Sequence, residues 1–254
     1  MSDTLSDLVD QVTDTASRAA PVEICIGAHW TLASLQCDGR IRGGLASTLS
    51  GGDDHHHGAN PPVRAAGHLL EATASGLVAL ASSDSLLEAS VGMAVINALL
   101  DVDESRCREV NAADVIAARG AGGNVAVVGH FPFIPDLRDV VETLWVLELN
   151  PRDGDLPAQM APEVLPQADV VALTGTSLLN KTFDDLMSLC RPEAYVVVLG
   201  ATTPLSPLLF RGGVDAISGT MVLDCDKVRT AVTQGATFRQ IPGKRLVTMF
   251  RNGV

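Results

Sequence analysis

The stretch Val125-Ala126-Val127-Val128-Gly129-His130-Phe131-Pro132-Phe133 decides the fold of this chain. Its four apolar residues follow the glycine-rich segment 120–123 and end at Gly129, a pattern typical of a fully buried parallel strand. A helix-like segment, 136–142, comes after the turn. Strand, turn and helix predict the first part of a doubly wound sheet, in which ligands bind beyond the carboxyl ends of the strands where the strand order reverses. We expect His130 to lie at that point.

The composition limits the classes of protein to which this chain can belong. Its 254 residues are 46% hydrophobic and 19% charged, which is typical of a folded α/β protein. The net charge of −12 argues against nucleic acid as a partner, because no Lys/Arg cluster is present to neutralise phosphates. No apolar run reaches the ~18 residues of a membrane-spanning helix. We therefore expect a cytoplasmic protein with neither a nucleic-acid nor a membrane partner.

The cysteines and the histidine run bear on metal binding. Five cysteines without a CxxC pair predict neither a disulfide framework nor a Cys-rich zinc site. The segment Asp53-Asp54-His55-His56-His57 combines imidazoles with carboxylates, which favours a Zn, Ni or Cu site. The alternative is an exposed loop that binds metals adventitiously, since ordering successive loop residues around one ion costs conformational entropy. Both interpretations stay open on the sequence.

The N-terminal part, residues 1–118, is predicted to be an α+β domain. An amphipathic helix begins after Ser2-Asp3 and ends at Pro21. Apolar alternation then predicts strands over 22–27, 30–36 and 45–49, the first two followed by the Asp38-Gly39 hairpin turn. Helical spacing predicts two helices, over 62–81 and 85–100. A strand meander followed by helices is α+β organisation.

The C-terminal part, residues 119–254, alternates regularly between strands and helices and predicts a doubly wound, mostly parallel, Rossmann-like sheet. We place the boundary between the two domains at the glycine-rich segment after residue 118. The predicted strands cover 125–128, 144–149, 169–174, 195–199, 215–218 and 246–250. Right-handed crossovers and the strand order 3-2-1-4-5-6 are expected for such a sheet.

The turn after the first of these strands does not form an ordinary dinucleotide site. Phe131 stands where the G-x-G-x-x-G fingerprint needs its second glycine, and Pro132 has no N–H to donate. NAD is therefore not an expected cofactor. Glu148 lies 19 residues after Gly129, near the ~20 expected for an acid that binds a ribose hydroxyl, so an adenosine-type ligand stays possible. The alternative for Glu148 is an acid that faces solvent at the end of a strand.

Polar turns follow two further strands of the predicted sheet, at 175–177 after the strand 169–174 and at 200–203 after the strand 195–199. Their hydroxyls and N–H groups suit an anionic ligand, although Thr176 or Ser177 is equally compatible with a simple helix N-cap. His130 is compatible with a packed structural role as well as with chemistry. In the N-terminal part, Glu88 and Asn97 interrupt the apolar pattern of the helix over 85–100, where they suit either a cleft or a capping or surface role. The candidate ligand-binding residues are Gly129, Glu148, Thr174, Gly175, Thr176, Asn180, Gly200, Thr202, Thr203, Asn97 and Glu88, with His130 as the candidate catalytic residue and with His130 and Glu148 as candidate metal ligands.

A set of unusual motifs occurs along the chain: Val128-Gly129-His130-Phe131-Pro132-Phe133, Thr174-Gly175-Thr176 with Asn180-Lys181-Thr182, Gly200-Ala201-Thr202-Thr203-Pro204, Gly212-Gly213-Val214-Asp215 with Ser218-Gly219, and Glu88-Ala89-Ser90-Val91-Gly92 with Asn97-Ala98-Leu99-Leu100. These motifs resemble the heavy-metal chelation family. The resemblance covers nearly the whole chain. It implies an N-terminal domain similar to the enolase N-terminal domain, a Rossmann-like C-terminal domain, and a site in the cleft between them. Ala201 stands where the family pattern has proline.

Three hypotheses of function follow, and the sequence does not choose among them. In the first, the chain binds or delivers a transition metal, or a metal-bearing small molecule, in the interdomain cleft. His130 and Glu148 are then the donors, and this N/O set suits Ni, Co, Fe or Zn. In the second, an enzyme acts on an adenosine-containing or phosphorylated metabolite with His130 as general acid/base. In the third, the same cleft serves a non-catalytic small-molecule sensor. The sequence leaves the oligomeric state open, and a homodimer is common for such folds.

Overall fold

The computed structural model describes residues 3–50 and 61–252. The histidine run at 55–57 lies outside the described residues. Short 3-10 helices connect several of the elements. The α-helices are α1 (Thr4–Ser17), α2 (Ala74–Ala79), α3 (Leu86–Leu99), α4 (Ala112–Gly120), α5 (Ile134–Arg138), α6 (Ala161–Val164), α7 (Phe183–Leu189) and α8 (Cys225–Thr233). The strands are β1 (Ala20–Ile26), β2 (Trp30–Cys37), β3 (Arg40–Ser47), β4 (Cys107–Arg108), β5 (Asn124–Val128), β6 (Thr143–Glu148), β7 (Leu156–Pro157), β8 (Val170–Thr174), β9 (Tyr195–Leu199), β10 (Ala216–Val222) and β11 (Lys244–Phe250).

The chain folds into two compact units, each of which combines segments that are distant in sequence. The first unit comprises the described residues of Met1–Val102, together with Leu178–Asn180 and Thr220–Arg245. The second comprises the described residues of Asp103–Ser177, Lys181–Gly219 and Leu246–Val254. These units are defined by proximity in space, whereas the division at residues 118 and 119 is one of sequence and stays a prediction.

In the first unit, an antiparallel sheet of order β1-β2-β3 is covered by a helix on each face. A side chain at Gly43 would meet Cys225 of α8, whereas one at Gly44 would meet Ala94 and Asn97 of α3. Since successive strand residues point to opposite faces, α3 and α8 lie on opposite sides of the sheet. This double cover explains why consecutive residues of β2 are buried.

Local signals at the start of the first unit act as predicted. Asp3 caps α1, because its carboxylate accepts the Ser6 N–H at 2.6 Å. Asp38 and Gly39 have φ of 48° and 80°, which is the conformation of a two-residue hairpin turn that matches the twist of the strands. The turn pairs Cys37 with Arg40 and sets the register of β2 and β3.

The larger sheet is mostly parallel and has the order β4-β11-β10-β9-β8-β5-β6-β7. Numbered along the chain, the six predicted strands take the order 2-1-3-4-5-6, so the predicted order 3-2-1-4-5-6 is wrong: β8, and not β9, pairs with β5. The place beside β6 is taken by β7, a strand of two residues that the sequence did not predict. The strand order reverses at β5, whose neighbours are β6 and β8. Both neighbours are parallel to it. The short strand β4 pairs antiparallel with β11.

The core of the second unit explains why β5 is continuously apolar. Val125, Ala126 and Val127 are completely buried, so side chains on both faces of the strand lie away from water. On one face, Val125 and Val127 pack in a cluster with residues of α4, α5, β8, β9 and β10. Burial on both faces is the reason that the strand does not alternate in polarity.

Two predicted helices differ from those observed. The segment 62–81 is not one helix, because Gly67 has φ of +86° and Thr73 is extended and caps a new helix with its hydroxyl. Short 3-10 and α-helical pieces replace the predicted helix. The helix after His130 spans Ile134–Arg138, earlier than 136–142, because Pro135 occupies its first turn.

The described residues include no helix that is long and apolar enough to cross a membrane.

A Gly92→Ala substitution is expected to destabilise the first unit although alanine favours helices. Gly92 lies in α3, where alanine would gain about 1 kcal/mol of helix propensity. The added Cβ would stand 2.0 Å from the Ala81 backbone nitrogen, and backbone cannot move aside cheaply. Since overpacking of this kind costs roughly 2–3 kcal/mol or more, the net change is a loss of stability, measurable by urea denaturation.

Gly212→Ala is the matched control, because a Cβ there meets nothing within 4 Å. A Gly92→Ala protein that unfolds at or above the wild-type urea concentration would show that the two segments do not pack as described.

Candidate functional site

The carboxyl ends of four neighbouring strands meet at one edge of the larger sheet. Val128 is level with Leu147 of β6 and with Leu173 of β8, and Thr174 is level with Leu199 of β9. The turns that follow these strands therefore lie side by side. They carry most of the predicted site residues: Gly129, His130, Glu148, Thr174, Gly175, Thr176, Gly200, Thr202 and Thr203.

Gly129 lets the chain turn sharply at the end of β5. Its φ is +104°, a conformation that side-chain-bearing residues rarely adopt. A Cβ there would lie 3.1 Å from the Thr174 Cβ and 3.3 Å from the Phe131 ring. Phe131 stacks on Phe133 with their ring centroids 5.3 Å apart. Phe131, which replaces the second glycine of a dinucleotide site, thus lies against the turn together with Phe133. In sequence, His130 stands between Gly129 and these two aromatic residues.

His130 pairs with a buried carboxylate that is supplied by a different loop. Its Nδ1 lies 3.1 Å from Oδ2 of Asp155. The Asp155 side chain is 1% exposed, and that of His130 is 25% exposed. The same Oδ2 accepts the Arg152 N–H at 3.1 Å. An ionised carboxylate can only accept hydrogen bonds, so the imidazole that pairs with it presents Nδ1–H.

The other ring nitrogen of His130 is available for chemistry. Within residues 3–50 and 61–252, no group forms a hydrogen bond with Nε2. An imidazole with Nδ1–H bonded to a carboxylate keeps its lone pair on Nε2. That arrangement occurs in metal-ligating histidines, which donate their second ring N–H to a carboxylate or carbonyl. It also suits a general base.

Asp155 was not among the residues predicted from the sequence. It lies in the segment 151–166, which the sequence analysis treated as a punctuated connection. A signal was present, since Asp153-Gly154-Asp155 closely follows the strand that ends at Glu148. Aspartates after neighbouring strands of a parallel sheet are candidates for the same edge. Which of the two aspartates turns inward depends on the loop conformation, and the pattern does not show it.

The hydroxyls after β8 bond mainly to one another. Thr174 Oγ1 and Thr176 Oγ1 are 2.9 Å apart, and the Ser177 hydroxyl donates to the Thr174 carbonyl at 2.7 Å. Gly175–Leu178 form a 3-10 helix, so the expectation of a regular α-helix N-cap at Thr176 or Ser177 is wrong. Helix α7 begins later, at Phe183. The hydroxyl of Thr176 can still turn toward a ligand, since it both donates and accepts.

The turn after β9 is packed against the turn after β8. A Cβ at Gly175 would lie 2.5 Å from the Thr203 hydroxyl oxygen, so the two backbones touch. Thr202 and Thr203 are 1% and 2% exposed. Among the residues the structure describes, the Thr203 hydroxyl has no hydrogen-bond partner. A buried hydroxyl without a partner is costly, and a ligand oxygen nearby would satisfy it.

The remaining predicted residues are bonded within their surroundings. Glu148 accepts the Leu149 N–H at 3.1 Å at the end of β6. In the first unit, the Asn97 side-chain amide donates to the Leu45 carbonyl at 2.9 Å and ties α3 to β3. Asn180 lies in the turn before α7, not inside that helix as expected. Their parts in ligand binding stay predictions.

Metal binding has limited support from the donor atoms. In the described part of the chain, no group of three or more His, Cys, Asp or Glu residues is placed to hold a metal ion. Burial raises the pKa of the Cys25, Cys37, Cys190 and Cys225 thiols, that of Cys190 to about 11. Since the thiolate is the form that binds metals, these cysteines are poor donors at neutral pH. The available imidazole of His130 is the strongest donor at the site.

Family models identify the group of proteins to which the chain is related. A model of the family described as "Putative heavy-metal chelation" matches residues 111–250, and a second model with the same description matches residues 9–100. The chain belongs to this heavy-metal chelation family. Membership agrees with the resemblance that the sequence motifs indicated.

Individual relatives support the same family. An uncharacterised protein of Methanocaldococcus jannaschii is 28% identical over 155 residues, which are 58% of this chain and 60% of that relative. The chain thus matches less than two thirds of the length of this curated relative. A protein of unknown function from the DUF364 family of Pyrococcus horikoshii has a TM-score of 0.83 at 18% identity, covering 98% of this chain and 100% of that one. One from Desulfitobacterium hafniense has a TM-score of 0.78 at 24% identity, covering 97% and 98%. These likenesses show a shared fold.

In this member of the family, Glu88 is a buried carboxylate that accepts hydrogen bonds from Arg64 and Ser83. Arg64 donates to it through Nη2 at 2.8 Å, through Nε at 3.1 Å and through its backbone N–H at 2.8 Å. The Ser83 hydroxyl donates at 2.6 Å. These donors, the Arg64 side chain above all, hold the pKa of Glu88 at about 2, below the ordinary 4.5. Glu88 therefore ties the segment around Arg64 to α3, and a ligand would have to compete with that bond.

Glu88→Gln is expected to destabilise the protein at neutral pH and to lose this effect in acid. The pKa of the wild-type Glu88 carboxyl is lower in the folded chain than in the unfolded chain, so the ionised carboxylate stabilises the fold above pH 4.5. This stabilisation is lost as the pH drops from about 4.5 to about 2. We expect a loss of roughly 1–3 kcal/mol at neutral pH, toward the lower end because Arg64 is mostly exposed. Urea denaturation across this pH range measures it.

Glu71→Gln is the matched control, since Glu71 pairs with His68 on the surface at 76% exposure. A difference between wild type and Glu88→Gln that stayed constant down to pH 2 would contradict the proposed role of the ionised carboxylate.

Proposed function

We propose that this chain binds a transition-metal ion, or a small molecule that carries one, through Nε2 of His130 at the carboxyl edge of the parallel sheet. The observation that carries the proposal is the pairing of His130 Nδ1 with the buried carboxylate of Asp155 at 3.1 Å. This pairing leaves the second ring nitrogen as the donor, as in the carboxylate–histidine–metal arrangement. The family description is in accord with it.

Neighbouring residues complete the proposed site. Glu148 ends the strand beside β5 and is the proposed second donor, an oxygen donor that with imidazole suits Ni, Co, Fe or Zn. The hydroxyls of Thr176 and Thr203 are proposed to hold an anionic group of a bound small molecule. The metal would act as a Lewis acid toward such a molecule. Because described protein donors are few, a molecule that supplies its own donor atoms fits the site better than a bare ion.

The wider architecture remains part of the proposal. We infer that the two units correspond to an enolase N-terminal-like domain and a Rossmann-like domain, as the sequence motifs imply. The order of β5 to β10 in the sheet supports the second label. The location of the site in a cleft between the domains, its closure by Glu88 and Asn97, the homodimer and the cytoplasmic location stay predictions.

General acid/base catalysis on an adenosine-containing or phosphorylated metabolite is the second candidate. The same pairing favours it, because a histidine backed by a buried aspartate is the arrangement of many general bases. A thermal shift on adding AMP or ATP to metal-free protein, lost in His130→Ala, would favour this function over metal binding. A shift with no turnover of the nucleotide would favour a sensor instead.

His130→Ala is expected to abolish near-stoichiometric metal binding without unfolding the protein. The reason is that it removes the imidazole and leaves the strand that precedes it intact. Elemental analysis of protein purified without metal-affinity resin, before and after reconstitution with Co²⁺, Ni²⁺ or Zn²⁺, measures the metal content. Circular dichroism confirms folding.

Two variants control this experiment. His68→Ala removes an exposed histidine that pairs with Glu71, and it should keep the metal. Replacing His55 to His57 by Gly and Ser should also keep it. Loss of metal only in that loop variant, or no metal in any protein after reconstitution, would overturn the proposed function.

A further inference from the structure

The loop between β6 and β7 holds the carboxylate of Asp155 in a fixed position. The Asp155 N–H donates to the Arg152 carbonyl at 3.0 Å, and the Arg152 N–H donates to the Asp155 carboxylate at 3.1 Å. These two bonds close the turn in both directions. Leu156 then pairs with Leu147 of β6, which anchors the turn to the sheet. The carboxylate is therefore oriented by its own loop and does not depend on His130 for its position.

The hydrogen bond between His130 and Asp155 has a defined donor and a defined acceptor. Oδ2 of Asp155 is the atom that receives both the Arg152 N–H and the His130 ring nitrogen. An ionised carboxylate only accepts hydrogen bonds, so Nδ1 of His130 must be the donor. Because the Asp155 side chain is 1% exposed, water competes poorly for this acceptor. The low exposure strengthens the preference for one tautomer.

We propose that Asp155 is a positioning residue that fixes His130 as the Nδ1–H tautomer and orients its Nε2 lone pair toward the ligand. This inference rests on the proposed function, since it takes His130 to be the donor. Asp155 itself does not contact the ligand. Its effect is to remove the alternative tautomer, in which Nε2 carries the proton and binds neither a metal nor a substrate proton.

The site is thereby shared between two loops of the second unit. One loop follows β5 and supplies the imidazole, and the other joins β6 to β7 and supplies the carboxylate. Because β5 and β6 are paired in parallel register, the two loops leave the sheet at the same edge. Substitution of Asp155 should accordingly change the chemistry of His130 while the sheet stays folded.

Nitrogen NMR of protein labelled with ¹⁵N-histidine tests this inference directly, because the two ring nitrogens have different shifts when protonated and unprotonated. The chain has six histidines, and the spectrum of His130→Ala identifies the signals of His130. At alkaline pH, where imidazole is neutral, we expect the wild-type ring to carry its proton on Nδ1. Asp155→Ala should give a mixture of tautomers, and Asp155→Asn, which keeps an acceptor oxygen, should restore most of the wild-type signal.

Affinity for Co²⁺, followed by its visible absorption, gives the functional consequence. Loss of a carboxylate that orients a metal-binding histidine weakens binding by roughly tenfold to one hundredfold, so we expect that change for Asp155→Ala and a smaller one for Asp155→Asn. Asp153→Ala is the matched control, because it removes an exposed carboxylate from the same loop and should change neither readout.

The outcomes separate the two proposals. A wild-type His130 protonated on Nε2, or an Asp155→Ala protein with the wild-type tautomer, overturns the positioning role. If the tautomers behave as expected and no variant nor the wild type binds Co²⁺, the positioning role stands and the metal-binding function is overturned. If Asp155→Ala does not fold, the wild-type spectrum and Asp155→Asn still decide, since a wild-type proton on Nε2 is sufficient to refute the role.

Discussion

Parallel pairing of β5 with β6 on one side and with β8 on the other is the constraint on which the candidate site depends. Parallel strands cannot be joined by tight turns, so each is followed by a crossover that leaves from the same edge. The strand order reverses at β5, and in doubly wound sheets ligands bind beyond the strand ends at such a point. The turn that carries His130 starts at this position. The sharp backbone at Gly129 leaves little room for a side chain, since a Cβ there would lie 3.1 Å from the Thr174 Cβ at the end of β8.

Two buried carboxylates show how the same chemistry serves different purposes. Glu88 accepts from Arg64 and Ser83, and every donor belongs to the structure around it. Its charge is neutralised, and its role is to hold a segment in place. Asp155 also accepts a backbone N–H, but its other partner is an imidazole with a second nitrogen. A carboxylate that accepts from one ring nitrogen of a histidine determines the protonation of the other ring nitrogen, whereas a carboxylate bonded to arginine has no such effect on a second atom. The Asp155 arrangement is the one that the proposed function requires, because the histidine keeps a second ring nitrogen.

The first unit shows a limit of reasoning from adjacent residues. Its meander and its Asp38-Gly39 turn were predictable because turn type and strand alternation depend on neighbours in sequence. The cover on one face of that sheet comes from α8, about 180 residues further along the chain than β3. The apolar residues of α8 show that one of its faces is buried, but not against which sheet. Likewise, the segment 62–81 has apolar residues at helical spacing, and the breaks at Gly67 and Thr73 depend on backbone conformation.

The sequence by itself determined the parallel, alternating organisation of the larger sheet, the buried character of β5 and the arrival of His130, Glu148, Thr174 and Thr203 at one edge. Those features follow from periodicity and from the rules of parallel sheets, which act over short stretches of chain. Only the tertiary structure decided that His130 meets Asp155, that Gly175 touches Thr203, and that Glu88 is neutralised by Arg64. The reason is physical: a hydrogen bond across loops depends on where each loop folds in space, and the conformation of a loop is selected by packing against residues that are distant in sequence.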